Sequence, residues 1–170
     1  AEPWQKPKLF LFCLSRRAGS GYNKKKRRNT SLIGVIFGEK GTGKTKRLLQ
    51  HANRTAADAK GSVVFIDDDN RYMFDLNSFI RFINAADYGI ESPKMLYGFL
   101  CGIYAQDFDL EYVYIDGFLN FVRHELASLE GLFDDLRAFS ERTSVNIILS
   151  ISGNTESLPP FMRDMVLQIT

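Results

Sequence analysis

The chain has 170 residues, a formal net charge of +2, 45% hydrophobic and 25% charged residues, which describes an ordinary globular domain able to bury a substantial core and excludes disordered and fibrous classes. No apolar run approaches the roughly 18 residues needed to span a bilayer. Cys13 and Cys101 stand far apart, and His51 and His124 share no metal-ligand spacing with them, so free thiols are expected rather than a disulfide or a Cys/His metal site.

The near-neutral total hides an asymmetry. Residues 1–31 hold nine Lys/Arg and one Glu, whereas the rest of the chain holds 13 Lys/Arg and 19 Asp/Glu. A basic N-terminal arm or hairpin over 1–31 is therefore expected ahead of a single domain over 32–170. Residues 8–15 look like a strand. Their apolar part, Leu9 to Leu14, is short for a signal-peptide core, and Arg16 and Arg17 occupy the place of the small residues of a cleavage site, so a cytoplasmic protein is expected. The strand belongs either to a hairpin at a sheet edge or to an arm against a neighbouring subunit. Lys24, Lys25, Lys26, Arg27 and Arg28 follow, flanked by Gly, Ser, Asn and Thr of loop composition. Five adjacent cations suit the phosphates of nucleic acid, an anionic membrane or a nuclear address; the plain alternative is a solvated loop.

Leu32 to Phe37 is an apolar run of strand length. It leads into Gly38-Glu39-Lys40-Gly41-Thr42-Gly43-Lys44-Thr45, a full match to the nucleotide-phosphate loop G-x-x-x-x-G-K-[ST], or Walker A. Small residues let successive backbone N–H groups turn inward around a β-phosphate, while the helix that follows offers its positive end. Residues Gly38 to Lys46 are thus the candidate ATP-binding stretch, with Lys44 reaching the β- and γ-phosphates and the Thr45 hydroxyl holding Mg²⁺. Leu48, Leu49, Ala52 and Ala56 recur at helical spacing as far as Gly61.

Ser62 to Ile66 reads as a second buried strand, ending in Asp67-Asp68-Asp69. In an open parallel sheet such ends face the ligand crevice. Phe74, Leu76, Phe79, Ile80, Phe82 and Ile83 suggest an apolar, partly helical stretch whose aromatics belong to the core. A base-stacking surface is the rarer use of such a cluster. Ser92-Pro93 is a helix start, with a buried face through Met95, Leu96, Phe99, Leu100 and Ile103. Tyr112 to Ile115, ending in Asp116, fits a Walker B strand that places an acid beside Thr45 to organise Mg²⁺. Val122, Leu126, Leu129, Phe133, Leu136 and Phe139 predict one long amphipathic helix. Val145 to Ser152 is a further strand, with Ser152 or Asn154 at its end as a sensor of the γ-phosphate or a simple turn. Met165 to Ile169 is the last strand. Alternating strands and helices predict a three-layer α/β fold with a mostly parallel central sheet.

The order of these motifs resembles the RecA-like branch of the P-loop NTPases, over residues 32–169. GEKGTGKT, VVFIDDD, VYIDGFLNF, and NIILSISG with LPPFMRDMVLQI carry the resemblance. It implies a Mg²⁺-dependent ATPase with Lys44 and Thr45 at the phosphates and metal, Asp116 as the Walker B acid, and Asp69, or Asp68 if the register shifts, as the base that orients attacking water. The family's base is normally glutamate; an aspartate is one methylene shorter, which implies slow hydrolysis or a nucleotide-gated scaffold with little turnover. The resemblance also implies a homo-oligomer with its site between subunits, in which Arg163 or Arg142 would reach a neighbour's nucleotide. Glu39 stands where a ParA/MinD-type loop needs lysine, and Gly117 where AAA+ proteins usually place glutamate.

Overall fold

The computed structural model describes residues 33–169; the expected N-terminal strand and the basic run 24–28 lie outside the described residues. Six strands form one sheet in the order β3-β2-β4-β5-β1-β6, and every pairing is parallel. They are β1 (Ile33–Gly38), β2 (Ser62–Asp67), β3 (Ile80–Asn84), β4 (Leu110–Ile115), β5 (Asn146–Ser152) and β6 (Val166–Ile169). The connecting helices are α1 (Lys44–Asp58), α2 (Pro93–Gln106), the short α3 (Phe118–Val122) and α4 (Glu130–Thr143).

The central strands are apolar on both faces because both are covered. Ile33, Val35 and Phe37 of β1 join Val64, Ile66, Val113, Ile115, Ile147 and Leu149 in a core roofed by α2, α3 and α4. The alternate residues Ile36, Val63, Phe65, Tyr114 and Ile148 pack on Leu48, Leu49 and Ala52 of α1. One helix therefore covers most of one face, and three cover the other. Phe65 stacks between Phe82 and Tyr114 of the neighbouring strands, which holds the register on the α1 side.

Two expectations are corrected. The stretch 74–83 is not partly helical in its second half: Met73–Asp75 forms a single 3₁₀ turn, and Ile80–Asn84 becomes the edge strand β3. Ile80 and Ile83, the two buried residues of this edge strand, stand three apart, a spacing that imitates a helical face. Nor do its aromatics all belong to the core, since Phe74 is 89% and Phe79 80% exposed. The long helix over 122–139 is also broken. Arg123 adopts φ 52° and closes α3 by donating its N–H to Leu119 O; a 3₁₀ turn at Leu126–Ser128 intervenes before α4. The apolar spacing persisted across the break because Val122, Leu129, Phe133, Leu136 and Phe139 are all buried in the same cluster. By contrast, the Ser92-Pro93 start is a proper cap, with Ser92 Oγ accepting from Met95 N at 3.3 Å.

Candidate nucleotide site

The loop between β1 and α1 owes its shape to two glycines: Gly41 (φ 88°) and Gly43 (φ 83°) are left-handed, a conformation that costs other residues energy. Gly43 also caps α1 without any side-chain bond, and the first turn carries no acid. The N-terminal N–H groups of this 15-residue helix thus face the loop with no side chain competing for them. Within the loop, Glu39 O accepts from Thr42 Oγ1 at 2.9 Å and from Lys44 Nζ at 2.6 Å. Lys44 is only 6% exposed. Burial lowers its pKa, and the negative charge of Asp116 pulls it back up. The ammonium is therefore parked on a loop carbonyl beside a carboxylate, where an entering phosphate can replace the carbonyl.

Facing the loop, the ends of β2, β4 and β5 carry Asp67, Asp116 and Ser150. Each lies two residues beyond a side chain of the α1-side core, namely Phe65, Tyr114 and Ile148. Strand alternation therefore turns all three polar groups onto the α1 face, in front of the helix N-terminus. The register aligns Ile66 with Ile115, and Asp116 N donates to Ile66 O at 2.9 Å, so Asp67 and Asp116 are neighbours at the ends of adjacent strands. Both are buried, at 3% and 4% exposure. Ser150 donates its hydroxyl to Asp116 Oδ1. Asp67 Oδ1 accepts from Asp68 N at 2.8 Å, whereas Asp67 Oδ2 is buried with no hydrogen-bond partner. Burial, the adjoining carboxyl of Asp68 and the charge of Asp116 push the Asp67 pKa up to about 8.

The expected residues separate here. Lys40, Gly41, Gly43, Lys44, Thr45 and Lys46 line a cleft of about 980 Å³ together with Asp67, Asp68, Asp116, Ser150 and Ser152. Gly38 ends β1 beneath the loop. Asp68 lies on the cleft wall and accepts from Asn120 Nδ2 at 2.6 Å. Asp69 is outside that lining and pairs with Arg71, Nε to Oδ2 at 2.6 Å. Asn154 is also outside the lining and caps the following turn through Glu156 N. Arg142 and Arg163 are exposed and away from the cleft lining. The sequence places Asp67 among the acids facing the crevice but assigns no individual role to Asp67, Ser150 or Asn120. A signal for Asp67 existed: Phe65-Ile66-Asp67 and Tyr114-Ile115-Asp116 repeat the same aromatic-Ile-Asp pattern on two strands.

An all-oxygen set of hydroxyls and carboxylates at Thr45, Asp67, Asp116 and Ser150, with one buried carboxylate oxygen left over, suits a hard cation such as Mg²⁺. Among the described residues no cluster of three or more His, Cys, Asp and Glu forms a self-sufficient metal cage. Mg²⁺ ordinarily takes only one or two protein carboxylates and completes its shell with water and phosphate.

Fold and cleft together define a three-layer α/β protein, with its phosphate-loop motif at the C-terminal edge of an all-parallel sheet. Among solved structures the chain is similar to the flagellar accessory protein FlaH from Methanocaldococcus jannaschii, with a TM-score of 0.51, 12% identity, and coverage of 81% of this chain and 71% of that one. At that identity the likeness concerns the fold. No protein-family model and no curated protein matches the sequence. No helix among the described residues is long and apolar enough to cross a membrane.

Proposed function

We propose that the chain is a RecA-like P-loop NTPase that binds Mg·ATP in the cleft and hydrolyses it slowly, using the cycle to change its contacts with a partner. One observation carries this reading: Lys44 and Thr45 share a single cleft, in front of the uncapped N-terminus of α1, with Asp116, which is far from them in sequence. The loop N–H groups and Lys44 hold the phosphates; Thr45 and Asp116 hold the cation, which when bound offsets charge on the β- and γ-phosphates. Of the two candidate bases, Asp68 is preferred to Asp69, because it lines the cleft while Asp69 is engaged by Arg71. Asp68 accepts a proton from the attacking water, and Asn120 keeps its carboxylate in place.

The second reading is a nucleotide-gated scaffold with little or no turnover. The pairing of Asp69 with Arg71 favours it, because it removes one of the two candidate bases from the cleft. A homo-oligomer, a cytoplasmic location and nucleic-acid binding through Lys24 to Arg28 remain part of the proposal. Phosphate release from Mg·ATP, with and without single-stranded and duplex nucleic acid and with Lys44→Ala as the blank, tests the turnover and the nucleic-acid contact. Turnover that Lys44→Ala abolishes supports the ATPase; stimulation by nucleic acid assigns the basic run. ATP binding without turnover under any condition supports the scaffold.

A further inference from the structure

We propose that Asp67 is a second carboxylate of the cation site, so that Asp67 and Asp116 together hold a divalent cation in the cleft even when no nucleotide is bound. This rests on the nucleotide-site reading above and goes beyond its Walker residues, Thr45 and Asp116. Three observations carry it. First, Asp67 and Asp116 end adjacent parallel strands in consecutive register and, by alternation from Phe65 and Tyr114, project to the same face. Neighbouring strands lie about 4.8 Å apart, which is within the span two carboxylates bridge through one cation. Second, Asp67 lines the cleft; one of its oxygens is fixed by Asp68 N, while the other is buried and has no hydrogen-bond partner. Buried polar atoms are almost always satisfied, so a lone carboxylate oxygen of this kind indicates a missing ligand. Third, further oxygen ligands stand nearby: Ser150 is bound to Asp116, and Thr45 shares the cleft, while the Lys44 ammonium beside Asp116 is held on Glu39 O. The cation of the ordinary phosphate-loop site waits for the nucleotide to complete its shell. Here two buried carboxylates replace part of that contribution.

The test uses the full chain stripped with EDTA and Mn²⁺ as the probe, followed by electron paramagnetic resonance and calorimetry without nucleotide. One Mn²⁺ per chain is expected. Asp67→Asn and Asp116→Asn should each weaken it by roughly tenfold or more, while Asp135→Asn, on the exposed face of α4, leaves it unchanged. Mn²⁺ should also raise the melting temperature of the parent and not that of Asp67→Asn, which separates loss of the site from loss of the fold. No Mn²⁺ binding without nucleotide, or equal binding by Asp67→Asn, overturns the inference. Binding of ADP in EDTA is measured in parallel. If ADP binds and Asp67 does not matter to Mn²⁺, only this inference fails; if ADP binds neither with nor without Mn²⁺, the nucleotide-site reading fails by itself.

Discussion

Asn120 donates Nδ2 to Asp68 Oδ2 at 2.6 Å, and this bond ties α3 to the turn after β2 at the cleft. Both residues line the cleft. Asn120 is positioned by α3, whose Phe118, Phe121 and Val122 are buried anchors. Replacing it should therefore disturb Asp68 without disturbing the loop proposed to hold phosphate. Asn120→Ala is expected to lower kcat by roughly tenfold or more, within the range attributed to general acid–base groups, while leaving ADP affinity close to that of the parent. Asn120→Asp should do worse, since it sets a second negative charge against Asp68. Equal losses in kcat and ADP affinity would mean that Asn120 only supports the fold.

Gly117 tests the same corner by crowding it. The residue sits at φ 57°, and a Cβ there would lie 2.4 Å from Asp68 Oδ1 and 3.3 Å from Asp67 Oδ1. Gly117→Ala combines a left-handed backbone with a collision against two acids. A destabilisation of about 1–3 kcal/mol is expected, read by urea unfolding, together with loss of turnover. Unchanged stability and activity would show that the Asp68 carboxylate is not held where the structure has it.

For Lys44 the expected outcome divides between binding and stability. Among the described residues its ammonium hydrogen-bonds to Glu39 O within its own loop, an interaction a water can replace. Lys44→Ala should therefore cost little stability, of the order of 1 kcal/mol. Its ATP affinity, measured by calorimetry, should fall by at least roughly tenfold, because a charge-assisted bond to phosphate is lost. Retained affinity would remove Lys44 from the phosphate site.

How far sequence alone reaches can be seen strand by strand. Buried parallel strands announce themselves as uninterrupted apolar runs, so Ile33–Phe37, Val63–Ile66 and Ile147–Leu149 were legible. The phosphate loop was legible because its chemistry demands small residues and Lys44 at fixed places. The edge strand β3 was not, because its exposed Arg81 and half-buried Phe82 interrupt the run. The choice among Asp67, Asp68 and Asp69 was also beyond sequence. Three consecutive acids differ only in which way the chain turns after β2, and that is decided by Asp67 Oδ1 capping Asp68 N and by Asn120, 52 residues after Asp68, claiming its carboxylate. Ser150 was hidden for the same reason: its role exists only because β5 runs beside β4.

A buried polar chain on the α1 side gives a prediction about stability alone. Tyr114 is fully buried; its hydroxyl donates to Thr55 Oγ1 at 2.8 Å and stands 2.8 Å from His51 Nδ1. Burial pushes its pKa up to about 12. Tyr114→Phe keeps the ring stacking on Phe65 and Tyr112 and removes only the bonds. His51 and Thr55 lie at the surface of α1 and can turn to water, so the expected loss is about 1 kcal/mol, or roughly 2–4 °C in melting temperature for a chain of this size. Calorimetric melting checks it, and ATP affinity should not change. A drop several times larger would show that the hydroxyl organises α1 as a whole.

The pH dependence of stability should single out Asp67. Its folded pKa is raised to about 8 from an ordinary 3.8, first by burial, then by the Asp68 carboxyl and the charge of Asp116. Below pH 4 both folded and unfolded chains carry the proton, and the group contributes nothing to the difference. Between about 4 and 8 the unfolded chain releases the proton while the folded one retains it, so folding loses up to about 1.4 kcal/mol per pH unit from this residue; above 8 both forms are ionised and the loss levels off. Asp67→Asn cannot titrate. In EDTA and without nucleotide, the stability of the variant relative to the parent should therefore grow as pH rises from 4 to 8 and then stay constant, as measured by urea unfolding at each pH. Groups away from the cleft titrate alike in both proteins, so their contributions cancel in that difference. A difference that is flat across the window, or that shrinks with rising pH, would mean that Asp67 is ionised in the folded protein and already has a partner for its second oxygen.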